Sequence, residues 1–149
     1  MRIRLSGPAE LQMRLRPELS AAGFQESGEA VPDLLIWAVP RGPLSTLADA
    51  LATERAATWT AYAQDCTQPA WDNSGEKSAR GSVLWLADVQ DREALPFLMA
   101  ALPAEVVRFA PDLRMNLLCG DWAEPGSFFR PALSWLARSP VITGQILGV

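Results

Sequence analysis

The side chains able to move a proton or an electron pair in this chain are few and scattered. Its 149 residues include no histidine, so no imidazole base, His-containing triad or histidine zinc site can be built from them. Tyr62 is the only tyrosine and Lys77 the only lysine, and fifteen positions separate them. A lysine one helical turn beyond a tyrosine lowers the phenol from its usual pKa of about 10 and makes it an acid or base. That pair cannot form at this spacing. Asp88 and Asp91 stand three apart at an expected strand-to-helix turn, where two carboxylates could do acid/base work without a nucleotide. The plainer reading is that one of them caps the helix and the other is solvated. Asp121 and Glu124 follow the next strand and read as loop charges. Cys66 and Cys119, few and far apart, read as reduced, mostly buried thiols, and Cys119 has no histidine to make it a nucleophile.

Composition narrows the partners. The chain is 49% hydrophobic and 20% charged, as a globular domain should be, and its length suits one domain, 1–149. Thirteen basic against 17 acidic side chains give a net charge of −4, with no basic patch to track a phosphate backbone, so nucleic acid is not an expected partner. No apolar run approaches the length of a membrane span, and the first residues lack the apolar core of a signal peptide. A cytoplasmic protein without a membrane partner is the expectation.

These residues must be positioned by alternating strands and helices. Arg2 to Ser6 alternates as a strand, Gly7-Pro8 ends it, and Glu10 to Ala22 carries Leu11, Leu15 and Leu19 at helical spacing up to a Gly23 cap. Pro17 should kink that helix. Gln25 to Ala30 is polar with no strand pattern, so Glu26 and Glu29 read as solvated loop charges. Asp33 to Val39 is a continuous apolar run suited to a parallel strand covered on both faces. Pro43 opens a long amphipathic helix through Leu47, Leu51, Trp59 and Tyr62. Asp65 to Arg80 is a polar loop, Ser82 to Ala87 a strand, and Arg92 to Phe109 a helix interrupted by Pro96 and Pro103. Leu113 to Cys119 is the next strand, and a last helix stops at Ser139-Pro140 before a β-branched run to Val149. Of six tryptophans, Trp37 and Trp85 should fill core space, while Trp59, Trp71, Trp122 and Trp135 should reach a surface.

In wording as well as pattern, Ser139 to Val149 (SPVITGQILGV) resembles the last strand of the short-chain dehydrogenase/reductase family, where S-x-x-x-T-G-Q-x-L-x-V leads into Asp-Gly-Gly. Ala110 to Asn116 (APDLRMN) is similar to that family's A-P-x-x-I-R-V-N junction, and residues 33–40 to its D-x-L-V-N-N-A-G strand. The sequence ends at Val149, before the acidic tail. The family's T-G-x-x-x-G-x-G turn is reduced to Ser6-Gly7, with Glu10 to Met13 where the later glycines would admit a pyrophosphate. Counting back from Asn116, the family's tyrosine falls near Asp91, its lysine near Leu95 and its serine near Ala87 or Asp88.

The resemblance implies an α/β, Rossmann-like three-layer fold with a reduced parallel sheet of about five strands. Their order is 1-4-5-6-7 in the family's numbering, the second and third strands being deleted. It implies no catalytic, cofactor-binding or metal-binding residue in this chain. The retained helices and last strand are those by which family members associate, which marks Leu95, Leu98, Leu102, Phe109, Trp135, Thr143 and Gln145 as partner-interface residues. The expected function is that of a non-catalytic subunit of a heterodimer or heterotetramer. A full-length catalytic reductase would supply NAD(P)H, tyrosine and lysine, in polyketide-type or other secondary-metabolite biosynthesis. The alternatives are a homo-oligomeric protein binding an apolar small molecule between tryptophans, and a cofactor-independent enzyme using Asp88 and Asp91.

Overall fold

The computed structural model describes residues 1–67, 81–121, 127–139 and 143–148. Six parallel strands form one sheet in the order β2-β1-β3-β4-β5-β6. They are β1 (Arg2–Ser6), β2 (Gln25–Glu26), β3 (Leu34–Ala38), β4 (Gly81–Asp88), β5 (Leu113–Gly120) and β6 (Ile146–Gly148). Helices α1 (Ala9–Ala21) and α5 (Phe129–Arg138) cover one face. The other is covered by α2 (Leu44–Glu54), α3 (Thr60–Thr67) and α4 (Ala94–Phe109). All five residues of β3 and all eight of β4 are buried, which is why they read as unbroken apolar runs rather than alternating ones. Leu35, Trp37, Val83 and Trp85 pack under α2 and α4; Leu34, Ile36, Leu84 and Leu86 pack under α1 and α5.

The sheet departs from the expected five strands by one. Gln25 and Glu26, read from sequence as loop, form a parallel strand beside Arg2 and Ile3. The amides of Gln25 and Ser27 donate to the carbonyls of Met1 and Ile3 at 3.1 and 2.8 Å. Main-chain bonds alone make this strand. Both of its side chains are exposed, so no hydrophobic pattern announces it. The other five strands are contiguous as expected.

The long helix opened by Pro43 is not continuous. Between α2 and α3, Arg55–Trp59 forms a single π-helical turn. Eight residues of regular α-helix would leave Trp59 roughly 80° away from the direction of Leu51. The wider turn takes up that difference, and Trp59 drops onto the sheet with Leu47 and Leu51. Trp59, expected at a surface, is therefore fully buried. Its ring lies parallel to that of Trp85 at 5.4 Å, and Trp37 meets both edge-on at 5.4 to 5.5 Å. Trp37 and Trp85 fill the core as expected; Trp71 and Trp122 lie outside the described residues.

The π turn also places Arg55. Its guanidinium embraces both carboxylate oxygens of Glu105, with Nε at 2.9 and 3.0 Å, and Nη2 closes a further bond to Oε1. Glu105 sits on the buried side of α4, its side chain only 3% exposed, and Arg108 approaches it at 3.6 Å. Pro96 falls in the first turn of α4, where a missing N–H breaks no helical bond, and the helix runs on past Pro103. Likewise α1 runs past Pro17 to Ala21, and Gly23 at φ 85° closes it as expected.

Removing Arg55 leaves the buried Glu105 carboxylate with only the more distant, exposed Arg108 as counter-charge. Arg55→Ala should therefore cost about 3 kcal/mol in urea unfolding, whereas Arg55→Met with Glu105→Met should cost much less. A single variant as stable as the parent would show that the pair contributes nothing.

Candidate functional site

In doubly wound sheets ligands gather at the carboxyl ends of the strands, where neighbouring connections leave on opposite faces. Here that point lies between β1, followed by α1, and β3, followed by α2. Gly7 makes the turn after β1 at φ 101°, and a Cβ added there would lie 2.2 Å from the carbonyl oxygen of Ala38. The close approach this glycine permits is thus to β3. Gln12 folds back and donates from Nε2 to the Gly7 carbonyl at 2.8 Å, and Glu10 puts an exposed acid in the first turn of α1. Both features oppose a phosphate at this helix end.

At the end of β1, Ser6 Oγ donates to Glu54 Oε2 at 3.0 Å, and Thr58 of the π turn also bonds this carboxylate. Burial raises the Glu54 pKa above its ordinary 4.5, and the two hydroxyls only partly offset that. Sequence reasoning passed over Glu54. Its only signal was an acid in the otherwise apolar line of that helix.

Asp88 and Asp91 come together in one turn but form no shared pair. Asp91 Oδ1 accepts from the Ala94 amide at 3.1 Å and caps α4. Asp88, expected to be solvated if Asp91 capped, is instead 3% exposed. Its Oδ1 accepts from the Gln90 amide at 2.9 Å, and its Oδ2 is ion-paired with Arg41 from the loop after β3. The turn after a wholly buried strand carries its first side chain inside, and Arg41 supplies the counter-charge. Asp121, at the end of β5, lies 3.5 Å from the Gln90 amide nitrogen Nε2. Glu124 lies outside the described residues. Each carboxylate of Asp88 and Asp91 thus has a separate structural partner.

Other reactive groups are also built in. Burial pushes the Cys119 thiol up to about 11, and it raises Cys66 as well. Tyr62 stands at the opposite end of the sheet, donating to the Pro32 carbonyl at 2.9 Å and accepting from the Ser82 amide at 3.3 Å. Burial raises its phenol well above the usual value. Lys77 lies outside the described residues. Among the described residues no three His, Cys, Asp or Glu side chains gather to hold a metal, and no helix is long and apolar enough to cross a membrane.

The residues assigned from sequence to a partner interface separate into three groups. Leu98 and Leu102 are fully buried and Phe109 nearly so, all packed on the sheet, while Leu95 is half-buried. These three are therefore occupied within the chain. Thr143 and Gln145 are exposed and tie the C-terminal segment to β5. Met115 N donates to Thr143 Oγ1 at 3.0 Å, and Gln145 N donates to Asn116 Oδ1 at 2.9 Å. Trp135 is 51% exposed.

Exposed apolar side chains lie on the two helices that pack against β5, the strand next to β6. Phe128 and Trp135, seven apart, lie along one line of α5, and Arg130 turns the opposite flank toward Glu18 of α1. Ile146 of β6 is exposed as well. On the other face, a Cβ added at Gly144 would lie 3.9 Å from Val106 Cγ2 of α4, and exposed Met99 stands seven residues earlier on that helix. No charged residue occurs between Thr143 and Gly148.

The chain matches no protein-family model, no curated protein and no solved structure. Fold and site together define a doubly wound α/β protein whose strand-end carboxylates are engaged by the chain itself.

Because folding raises the Glu54 pKa, the folded state binds this proton more tightly than the unfolded chain does. Stability should therefore rise as pH falls from neutrality through the raised value. Glu54→Gln should be more stable than the parent at pH 7, and the difference should vanish below the ordinary carboxylate value. Urea midpoints of the two proteins across that range give the measurement, and a pH-independent difference would contradict it.

Proposed function

We propose that this chain is a non-catalytic subunit, similar to short-chain reductases, that associates with and supports a catalytic NAD(P)-dependent ketoreductase or dehydrogenase. The partner supplies the nucleotide and the proton-transfer pair, in polyketide-type or other secondary-metabolite biosynthesis. One observation carries the reading: the two helices packed against β5, the strand next to the uncharged β6 edge, expose Phe128 at 74%, just before α5, Trp135 at 51% and Met99 at 50%. Exposed aromatics near an uncharged strand whose outer edge has no partner among the described residues are the mark of an edge that expects one. The strand-end turn supports the same reading, because Gln12 and Glu10 obstruct the place where a phosphate would lie. Chemistry of the reductase kind also needs a tyrosine and lysine in register, and Tyr62 is engaged at the far end of the sheet.

The test is co-expression with a full-length reductase encoded beside this chain, followed by size-exclusion chromatography with light scattering. The expected result is a stable hetero-oligomer. Trp135→Glu with Ile146→Glu should weaken it by about 30-fold or more, the loss of one interface hot spot, while leaving the circular dichroism of the isolated chain unchanged. A monomer or homodimer indifferent to the reductase would sink the proposal.

A further inference from the structure

The outward side of α4 lacks the polar residues that a solvent-facing helix carries. Pro96, Ala100, Pro103 and Val107 are all exposed and fall within about 60° of one another around the helix, opposite the buried Leu98, Leu102 and Phe109. Val107, at 78%, is the most exposed large apolar side chain among the described residues. The whole stripe from Pro96 to Val107 carries no charge. On neighbouring α2 the exposed residues from Ser45 to Thr53 are small apart from Asp49, so they leave room for a flat approach.

The charges at the two ends of the stripe identify what covers it. Glu93, just before α4, and Arg108, in its last turn, are fifteen positions apart in the chain and about 60° apart around the helix, on the same flank. Arg92 lies on the other flank. Glu93 has no ion pair among the described residues, and Arg108 stands 3.6 Å from a Glu105 carboxylate that Arg55 already holds. A twofold axis crossing the helix midway between these two charges sets each Glu93 beside the Arg108 of the other copy, at both ends at once. The stripe residue at that midpoint is Ala100, whose small side chain lets two helix backbones come close. The stripe is thus complementary to itself in charge order and in shape.

We infer that α4 packs antiparallel against α4 of a second copy of this chain, crossing at Ala100 and burying Val107 of each copy near Pro96 of the other. This goes beyond the proposed reductase partnership. It does not use the β6 edge, so it stands whether or not a reductase binds there.

Light scattering of the isolated full chain tests it, together with mild oxidation of cysteine variants. The parent should have the mass of two chains. Ala100→Cys should form a disulfide between copies, because that residue meets itself at the axis. Val107→Cys should not, since its two copies would stand about 20 Å apart. The parent controls for Cys66 and Cys119. Val107→Glu should raise the dimer dissociation constant about 30-fold or more, and Glu93→Lys, which sets cations together at both ends, about 5-fold. Trp135→Glu with Ile146→Glu should leave it unchanged. The inference is overturned by a monomeric parent, by Ala100→Cys linking no better than Val107→Cys, by a dimer insensitive to Val107→Glu or Glu93→Lys, or by one lost in the Trp135 and Ile146 variant. A monomer that still joined the reductase would remove this pairing and leave the proposed function standing.

Discussion

Three indole rings packed between β3, β4 and the π turn constrain the rest of this structure. Trp37 and Trp85 stand side by side on adjacent strands, in register, and both point toward α2 and α4. Two such rings leave a hole that ordinary aliphatic side chains would fill poorly, and Trp59 fills it by lying parallel to one and edge-on to the other. To reach there the helix must change phase, which the π turn achieves. That same turn swings Arg55 onto Glu105, so a packing requirement in the core ends as a buried ion pair between two helices. Phe109, 6.1 Å from Trp59, closes the cluster at the far end of α4.

This core has consequences at the strand ends. Polar side chains entering the fold there are each given a structural partner: Asp88 takes Arg41, Asp91 takes the α4 amide, and Glu54 takes Ser6 and Thr58. A catalytic carboxylate needs a proton it can exchange with a substrate. Asp88 is instead bound to a guanidinium and a main-chain amide, and Asp91 is spent on a helix end. The groups that sequence reasoning weighed for acid/base work are close in space, yet their bonds point away from one another.

Much of the sheet could be read from sequence, and the reason is physical. Strands buried on both faces must be apolar throughout, so LLIWA and SVLWLA could be placed within a residue or two of their true ends. β2 could not, because a two-residue edge strand is held by main-chain bonds that leave no trace in side-chain pattern. The π turn was hidden for a related reason: Leu47, Leu51, Trp59 and Tyr62 fit a helical stripe loosely enough that a change of phase passes as tolerance. Leu98, Leu102 and Phe109 show the limit of spacing arguments at a site. Their period marks the buried line of a helix, but does not say whether the sheet or another protein buries it.

The two edges of the sheet are finished differently, and that difference bears more weight than any single exposed residue. β2 is two residues long, both polar, and Arg16 crosses it to Glu26, the short charged edge by which sheets avoid adding further strands. β6 is also short, at three residues, but carries no charge. Its neighbours Thr143 and Gln145 anchor it to β5 from the main-chain side, which holds the strand in register and leaves its outer backbone edge unpaired among the described residues. Phe128 and Trp135 are exposed at α5 on one face, and Met99 on α4 on the other. A monomer with this much apolar surface at an open edge would be prone to self-association, and the low charge of the segment offers nothing to oppose it. An edge so anchored and so bare is what the proposed partner interface would require.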